Sequence, residues 1–321
     1  MTRNLTLGLA AAALLVAVPA PAQREVNARH DASATGTVEI QMNQGSLRVT
    51  GWSRREVQVT GSVARPGDRV ELDGGGGSVE VRVVGRNGSH GGPANLEVRV
   101  PAGSTVEVVA GAAPITVSGV TGSVEAVSQG GPVAVQGNPR AVEVVSHSGG
   151  VTVEGQTERL NVTAMSGGVR VTANVRQRAE VVSMSGPVEL LGSVNELDLT
   201  AMSGPVRVAN AGGRVEIEAV SGGVTLNGSR LRGNVQSVSG TVVVGGTLGG
   251  PLSVESHSGD VELRLPGGAA AEVEVTTYNG GFRSDFGNGR GSSRERHVSI
   301  GRGGPAVSIT TFSGDVKLTR R

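Results

Sequence analysis

The sequence predicts an all-β protein: a single-domain parallel β-solenoid, or β-helix, with rungs of 18 or 19 residues. Three observations support this fold class. A Ser-Gly step recurs along the chain, with its glycine at positions 149, 167, 186, 204, 222, 240 and 259. Apolar and polar residues alternate on both sides of each step, which is typical of strands with one buried face. A fixed period of this length is typical of repeats that stack on their neighbours.

The repeat at Leu160–Ala173 shows how one rung is built. Apolar Leu160 and Val162 alternate with polar residues, Ser-Gly-Gly interrupts the strand, and the alternation resumes at Val169. Glycine permits this tight corner because it has no Cβ. One repeat alone could also form a hairpin meander, but equal side-chain types at equal offsets favour stacking, with rungs about 4.8 Å apart. Parallel crossovers are nearly always right-handed, so a right-handed stack is expected.

The residues expected in the core are the aliphatic members of this alternation. Each contributes roughly 1.5–3 kcal/mol on burial, before conformational entropy is subtracted. A thin solenoid has no room for large rings, which agrees with the single Trp, the single Tyr and the three Phe of the chain. The predicted inward pairs are Val142/Val144, Leu160/Val162, Leu197/Leu199, Val215/Ile217 and Leu252/Val254.

The first 22 residues have the organisation of a signal peptide. Arg3 precedes the apolar run Leu5–Val18, and Ala20-Pro21-Ala22 is a small-x-small cleavage signal. A membrane anchor is the other interpretation, but it needs about 18 or more uninterrupted apolar residues. The mature chain is therefore expected to be exported to the periplasm or the cell surface, with no membrane span after signal cleavage. The chain has no Cys, so its strand ladder must hold the fold without disulfides.

The rest of the chain divides near residue 100. Residues 23–100 are expected to form an irregular N-terminal cap and the first rungs, and residues 101–321 the regular solenoid. A Gly- and Arg-rich insertion at 283–302 is expected to be a mobile loop on one face, and the polar last residues to form a C-terminal capping rung. The glycine runs at 74–77 and 85–92 lack the following helix that a phosphate-binding loop needs, so turns are expected there.

The charge balance argues against a nucleic-acid partner. The chain has 29 Lys and Arg against 28 Asp and Glu, for a formal net charge of +1. A nucleic-acid-binding domain shows a strongly basic face instead. A metal site is not expected either, because His147 and His257 occupy the same slot six rungs apart, at about 29 Å. No cofactor is predicted.

Asp260 and Asp315 are the acids that come nearest to a catalytic pair. Each follows a Ser-Gly step, and a rung at Gly280 between them would place them two rungs apart, about 9–10 Å. Inverting glycosidases hold their two acids roughly 6.5–9.5 Å apart, so a polysaccharide-acting β-helix enzyme is one hypothesis. The other is that each Asp hydrogen-bonds the backbone of its own corner.

The residue before each Ser-Gly step forms a candidate interaction stripe. Strand alternation turns this slot outward, and stacking makes it a largely apolar column. Exposed apolar patches often mark contact surfaces, and Met suits a surface that must adapt. If the chain turns early, however, the same slot points into a corner of the core. The stripe consists of His147, Met165, Met184, Met202, Val220, Val238, His257 and Tyr278, with Phe312 later in the chain.

The chain resembles a bacterial family of exported β-strand-repeat proteins known as "putative adhesins", a domain of unknown function. The matching segments are Leu47–Trp52, the repeated Ser-Gly units, Arg283–Phe286 and Thr311–Val316. This chain departs from the family in having Gly or Pro after most central Ser-Gly steps, where Asp is common. The resemblance implies an all-β repeat fold and brings no catalytic residues with it.

Three functions follow as hypotheses. The first is an exported, non-enzymatic adhesin-like or scaffold protein that binds a protein or glycan partner of the cell envelope, or a second copy of itself. The second is the polysaccharide-acting enzyme with acids near Asp260 and Asp315. The third is an accessory protein of envelope stress in the periplasm, which the sequence does not distinguish from the first.

Overall fold

The computed structural model describes residues 24–75, 77–89, 91–287, 289–292 and 294–321, and it confirms an all-β fold. The predicted signal peptide lies outside the described residues. The described chain forms 26 strands and one turn of 3₁₀ helix at Arg86–Gly88. None of its helical segments is long and apolar enough to cross a bilayer.

In chain order the strands are β1 (Arg24–Asp31), β2 (Thr37–Met42), β3 (Gly45–Trp52), β4 (Glu56–Val63), β5 (Arg69–Gly75), β6 (Ser78–Val84), β7 (Ala94–Pro101), β8 (Thr105–Ala110), β9 (Ile115–Ser118), β10 (Ser123–Ser128), β11 (Val133–Gly137), β12 (Ala141–Ser146), β13 (Val151–Ala164), β14 (Val169–Val171), β15 (Asn174–Ser183), β16 (Val188–Ser203), β17 (Val206–Ser221), β18 (Val224–Ser239), β19 (Val242–Ser258), β20 (Val261–Leu265), β21 (Ala271–Asn279), β22 (Phe282–Ser284), β23 (Arg290–Gly291), β24 (Glu295–Ile300), β25 (Ala306–Ser313) and β26 (Val316–Arg320).

Two rows of hydrogen-bonded strands enclose one apolar core. The front sheet contains, in spatial order, β5, β6, β2, β8, β10, β12, the second halves of β13 and β15–β19, then β25, β21, β24 and β23. The back sheet contains β1, β4, β7, β3, β9, β11, the first half of β13, β14, the first halves of β16–β19, then β20, β26 and β22.

Successive repeats pair in parallel and in register through the middle of both sheets. In the front sheet Val124 lies opposite Val142, and Val144 lies opposite Val162. Inward side chains therefore stack on side chains of the same kind, and outward side chains do the same. All of the predicted inward pairs are buried, so that prediction is confirmed.

The recurring glycine of the Ser-Gly step is required by the close approach of neighbouring repeats. Gly186 has φ 124°, and a Cβ on it would lie 2.4 Å from the carbonyl oxygen of Gly167 in the preceding repeat. Real Cβ atoms do not come this close to a backbone oxygen, and positive φ disfavours other residues. The fixed glycine period in the sequence is thus a consequence of in-register stacking.

At the N-terminal end the spatial order of the strands departs from their order in the chain. β2 and β3 lie between β6/β7 and β8/β9, in parallel with both. Antiparallel strands complete this end: β4 pairs with β7, β1 with β4, and β5 with β6. The segment predicted as an irregular cap is therefore built mainly from regular strands.

The C-terminal end has the same kind of inversion, and it corrects two predictions. The last strands of the chain, β25 and β26, are not a capping rung: they lie between β19/β20 and β21/β22. The described part of the insertion at 283–302 is also not simply a loop, because β24 pairs antiparallel with β21 and β23 pairs with β24. A strand edge presents unpaired N–H and C=O groups, and β24 satisfies those of β21.

Candidate interaction surface

The residue before each Ser-Gly step is exposed on the front sheet. Met165, Met184 and Met202 have 46%, 43% and 40% of their surface exposed. The corner of the core is filled by the preceding residue instead. Ser146 is buried there, and its Oγ donates a hydrogen bond to the carbonyl oxygen of Gly149 at 2.7 Å. Of the two placements left open by the sequence, the structure shows the outward one.

The aromatic end of the stripe has a different order from the chain. Because β25 inserts next to β19, Phe312 lies directly beside His257, with ring centroids 5.1 Å apart and rings nearly parallel. Tyr278 follows on the far side of Phe312, with centroids 5.9 Å apart. The three rings therefore form one exposed row. Chain order alone would place Tyr278, and not Phe312, next to His257.

A second exposed apolar column lies beside the stripe in the N-terminal half of the front sheet. Val109 and Val127 are 52% and 37% exposed, and Val145 continues the same register. These residues were not predicted as surface contacts, although each lies two positions before the slot of its repeat and must face the same side. The two columns together, without His147, are called the apolar ridge below: Val109, Val127, Val145, Met165, Val182, Met184, Met202, Val220, Val238, His257, Phe312 and Tyr278.

Two shallow hollows lie along the apolar ridge, one at its N-terminal end and one over its C-terminal half. One, of about 810 Å³, has Gln41, Arg82 and Val109 in its wall. The other, of about 420 Å³, has Val238 and Phe312 in its wall, together with other members of the ridge. The surface is therefore a long apolar band with a shallow hollow in each half.

A column of carboxylates runs along the front sheet next to the apolar ridge. Glu39, Glu107, Glu125 and Glu143 lie directly opposite one another in successive strands. Burial, together with the neighbouring carboxylates of Glu125 and Glu39, raises the pKa of Glu107 above its usual value. Within the described residues none of the four forms an ion pair. The equal spacing of Glu107, Glu125 and Glu143 in the sequence was the available signal for this column.

Arginines neutralise the same column in the C-terminal half. Arg178 contacts Asp198 at 2.8 Å and Glu196 at 3.3 Å, and Arg214 contacts Glu216 at 3.2 Å. In the N-terminal half the position of these arginines is occupied by small residues, among them Ser123 and Ala141.

Asp260 and Asp315 are closer together than predicted, which corrects the two-rung separation. β20 pairs directly with β26, so the two acids lie on adjacent rungs. Asp260 Oδ1 accepts a hydrogen bond from the backbone N–H of Asp315 at 2.8 Å, and Asp315 Oδ1 accepts one from the N–H of Gly281 at 2.7 Å. Each carboxylate thus binds the backbone of the next rung, whereas the corner hypothesis placed that hydrogen bond within its own corner.

His147 and His257 do not converge on one site. His147 lies at an exposed corner and His257 in the aromatic row. Among the described residues, no three His, Cys, Asp or Glu side chains are grouped as metal ligands would be.

The fold and this surface define a class: an all-β repeat protein with a candidate interaction face. Residues 33–319 match the family Toastrack DUF4097, and because the match covers most of the chain, the chain belongs to that family. This confirms the resemblance drawn from the repeats. No curated protein sequence is significantly similar to the chain.

Solved structures that align with the chain share little sequence with it. A putative adhesin from Parabacteroides distasonis has 10% identity over 92% of this chain and 98% of its own, with a TM-score of 0.38. A putative adhesin from Parabacteroides merdae has 10% identity over 92% and 96%, with a TM-score of 0.32. A putative lipid binding protein from Parabacteroides distasonis has 11% identity over 91% and 96%, with a TM-score of 0.30. Values this low support no conclusion about the function of this chain.

Proposed function

We propose that this chain is an exported, non-enzymatic scaffold of the adhesin type, which binds a protein or glycan partner of the cell envelope through the apolar ridge. The observation that carries the proposal is the exposure of consecutive apolar side chains in adjacent strands. Single exposed apolar residues are ordinary, whereas a contiguous band is typical of contact surfaces. The three methionines at its centre can adjust their rotamers to a partner.

The stack supports this role because it presents the band on a regular framework. Repeat proteins use such extended surfaces for binding. The proposal takes the stack to be a right-handed β-solenoid with turns of 18 or 19 residues, and the hand stays a prediction. The predicted signal peptide supports export to the periplasm or the cell surface.

The test is capture of a partner from envelope extract with the purified protein. We expect Met165→Ser, Met184→Ser and Met202→Ser, combined in one variant, to abolish capture of any partner that the wild type retains. The matched control replaces the same three residues by Leu, which keeps the ridge apolar, and should retain capture. Thermal unfolding of both variants must match the wild type, since the replaced side chains are exposed. Equal capture by the Ser variant with an intact fold would remove the ridge from the proposal.

The enzyme hypothesis is separated from this proposal by a turnover assay on neutral and acidic glycans. Cleavage by the wild type that is lost in Asp260→Asn would overturn the non-enzymatic role. The hydrogen bonds of both acids to backbone N–H groups favour a structural role for them.

A further inference from the structure

Carboxylates that border the apolar ridge share one position in their strands. Each lies two residues before a ridge residue, so both side chains project from the front sheet about 6.6–6.8 Å apart. In the described part of the chain, none of these carboxylates forms an ion pair. They are Glu107, Glu125, Glu143 and Glu180, which precede Val109, Val127, Val145 and Val182.

Two other carboxylates of the same column, Asp198 and Glu216, are paired instead. Asp198 and Glu216 come two positions before Thr200 and Glu218, and each contacts an arginine of this chain. The fold therefore has room for an arginine beside this column, and Asp198 and Glu216, whose neighbouring outward residues are polar, each have one. Where the neighbour belongs to the ridge, the negative charge is left without a partner.

Leaving these charges unpaired is unfavourable for the isolated protein. Like charges directly opposite in adjacent strands destabilise a sheet, and here they repeat about every 4.8 Å. The pKa of Glu107 is raised by burial and by the carboxylates of Glu125 and Glu39, which agrees with this repulsion. A positively charged layer over the column would remove the repulsion and add complementary charge contacts.

We propose that the segment docking on the N-terminal half of the ridge is a cationic amphipathic helix, whose apolar side contacts Val109, Val127 and Val145 and whose Lys or Arg side chains contact Glu107, Glu125 and Glu143. This inference rests on the proposed function and names the partner class. A helix advances about 5.4 Å per turn, which is close to the strand spacing of about 4.8 Å. Over four or five rungs, each turn of the helix can therefore contact one rung. An extended strand laid along the stack repeats every 6.6–6.8 Å or so and fits less well.

The experiment uses the purified protein and a labelled helical peptide of about 18 residues, five turns long, with Leu on one side and Lys on the adjoining flank. Fluorescence anisotropy measures its affinity, and sedimentation measures the oligomeric state of the protein. The variant combines Glu107→Gln, Glu125→Gln and Glu143→Gln. The matched control combines Glu97→Gln, Glu154→Gln and Glu189→Gln, which removes the same charge from the back sheet.

We expect the peptide to bind one to one, with affinity falling about tenfold in the front-sheet variant and with added salt, since three exposed ion pairs are lost. The back-sheet control should bind like the wild type. No binding to the wild type overturns this inference, while the Met variants still decide the proposed function separately. If a peptide with Glu in place of Lys binds equally well, the proposed pairing of its cations with the carboxylates is wrong, and only the apolar contact with the ridge is retained. If the wild type is a dimer that dissociates in the front-sheet variant, the segment on the ridge is a second copy of this chain, and the proposal of a helical partner is wrong.

Discussion

The N-terminal and C-terminal halves of the front sheet share one strand geometry and differ in what flanks their carboxylates. In the C-terminal half Arg178 and Arg214 lie beside the acidic column, whereas Ser123 and Ala141 occupy that position in the N-terminal half. The inward residues of both halves are equally buried. In-register repeats thus constrain the inward columns to a few aliphatic residues, while the outward columns can change charge from one rung to the next.

The largest expected effect comes from breaking the register on which this comparison depends. Gly222→Ala should cost about 3 kcal/mol or more, because Gly222 has φ 121° and a Cβ there would lie 2.3 Å from the carbonyl oxygen of Gly204. Gly223→Ala, one residue further, meets its nearest atom only at 3.5 Å and should be tolerated. Urea denaturation measures both, and equal stabilities would contradict the role given to the corner glycine.

Copying the C-terminal arrangement into the N-terminal half should weaken cation binding. In Ser123→Arg the new guanidinium would lie two positions before Glu125, as Arg214 does before Glu216. We expect the affinity for the Lys/Leu peptide to fall by roughly threefold to tenfold, since one or two exposed charge contacts are neutralised. Ser123→Gln is the control for side-chain size and should bind like the wild type. Unchanged affinity in both variants would mean that Glu125 does not contact the peptide.

The reverse exchange removes an arginine from the C-terminal half. Arg178→Gln leaves Glu196 and Asp198 without their partner. We expect a loss of about 0.5–1 kcal/mol in the free energy of unfolding, because these pairs are partly exposed. Urea denaturation at low and high salt checks this, and the difference should shrink as salt screens the charges. A loss that is independent of salt would point to packing of the arginine stem rather than to charge.

The smallest expected effect is a pH-dependent change in the free energy of unfolding when a glutamate is replaced by Gln. Its sign is opposite at two glutamates, Glu107 and Glu262. The raised pKa of Glu107 means that its ionised form costs stability, so Glu107→Gln should stabilise the fold by a few tenths of a kcal/mol near neutral pH. That gain should vanish as the pH falls below the unfolded value of about 4.3.

The pKa of Glu262 provides the contrast. Hydrogen bonds from Arg264 and Thr319 lower it, so its ionised form stabilises the fold above about pH 4.3, and this stabilisation is lost as the pH falls through the lowered value. Glu262→Gln should therefore destabilise near neutral pH. Chemical denaturation from pH 7 to about 3 measures both variants. Shifts of equal sign would contradict the assigned causes.

Much of the surface could be predicted because alternation and period are local patterns. The exposure of Met165, Met184 and Met202 follows from counting residues in a strand, and so does the burial of Leu197 and Leu199. The acidic column was equally visible as Glu107, Glu125 and Glu143 at equal spacing. Whether a carboxylate has a cation beside it depends on which residue the neighbouring repeat places there and on how far that side chain reaches. The repeat period predicts neither of these.

By itself the sequence determined the repeat, its glycine corners and the residues that face the core, because each is decided within one repeat and its copies. Only the tertiary structure decided the order of strands at the two ends, since pairing between distant segments leaves no periodic trace. That order places Phe312 between His257 and Tyr278 and brings Asp315 next to Asp260. The physical reason is that an exposed strand edge pairs with whichever segment the chain can bring to it, here β24 on β21 and β25 between β19 and β21.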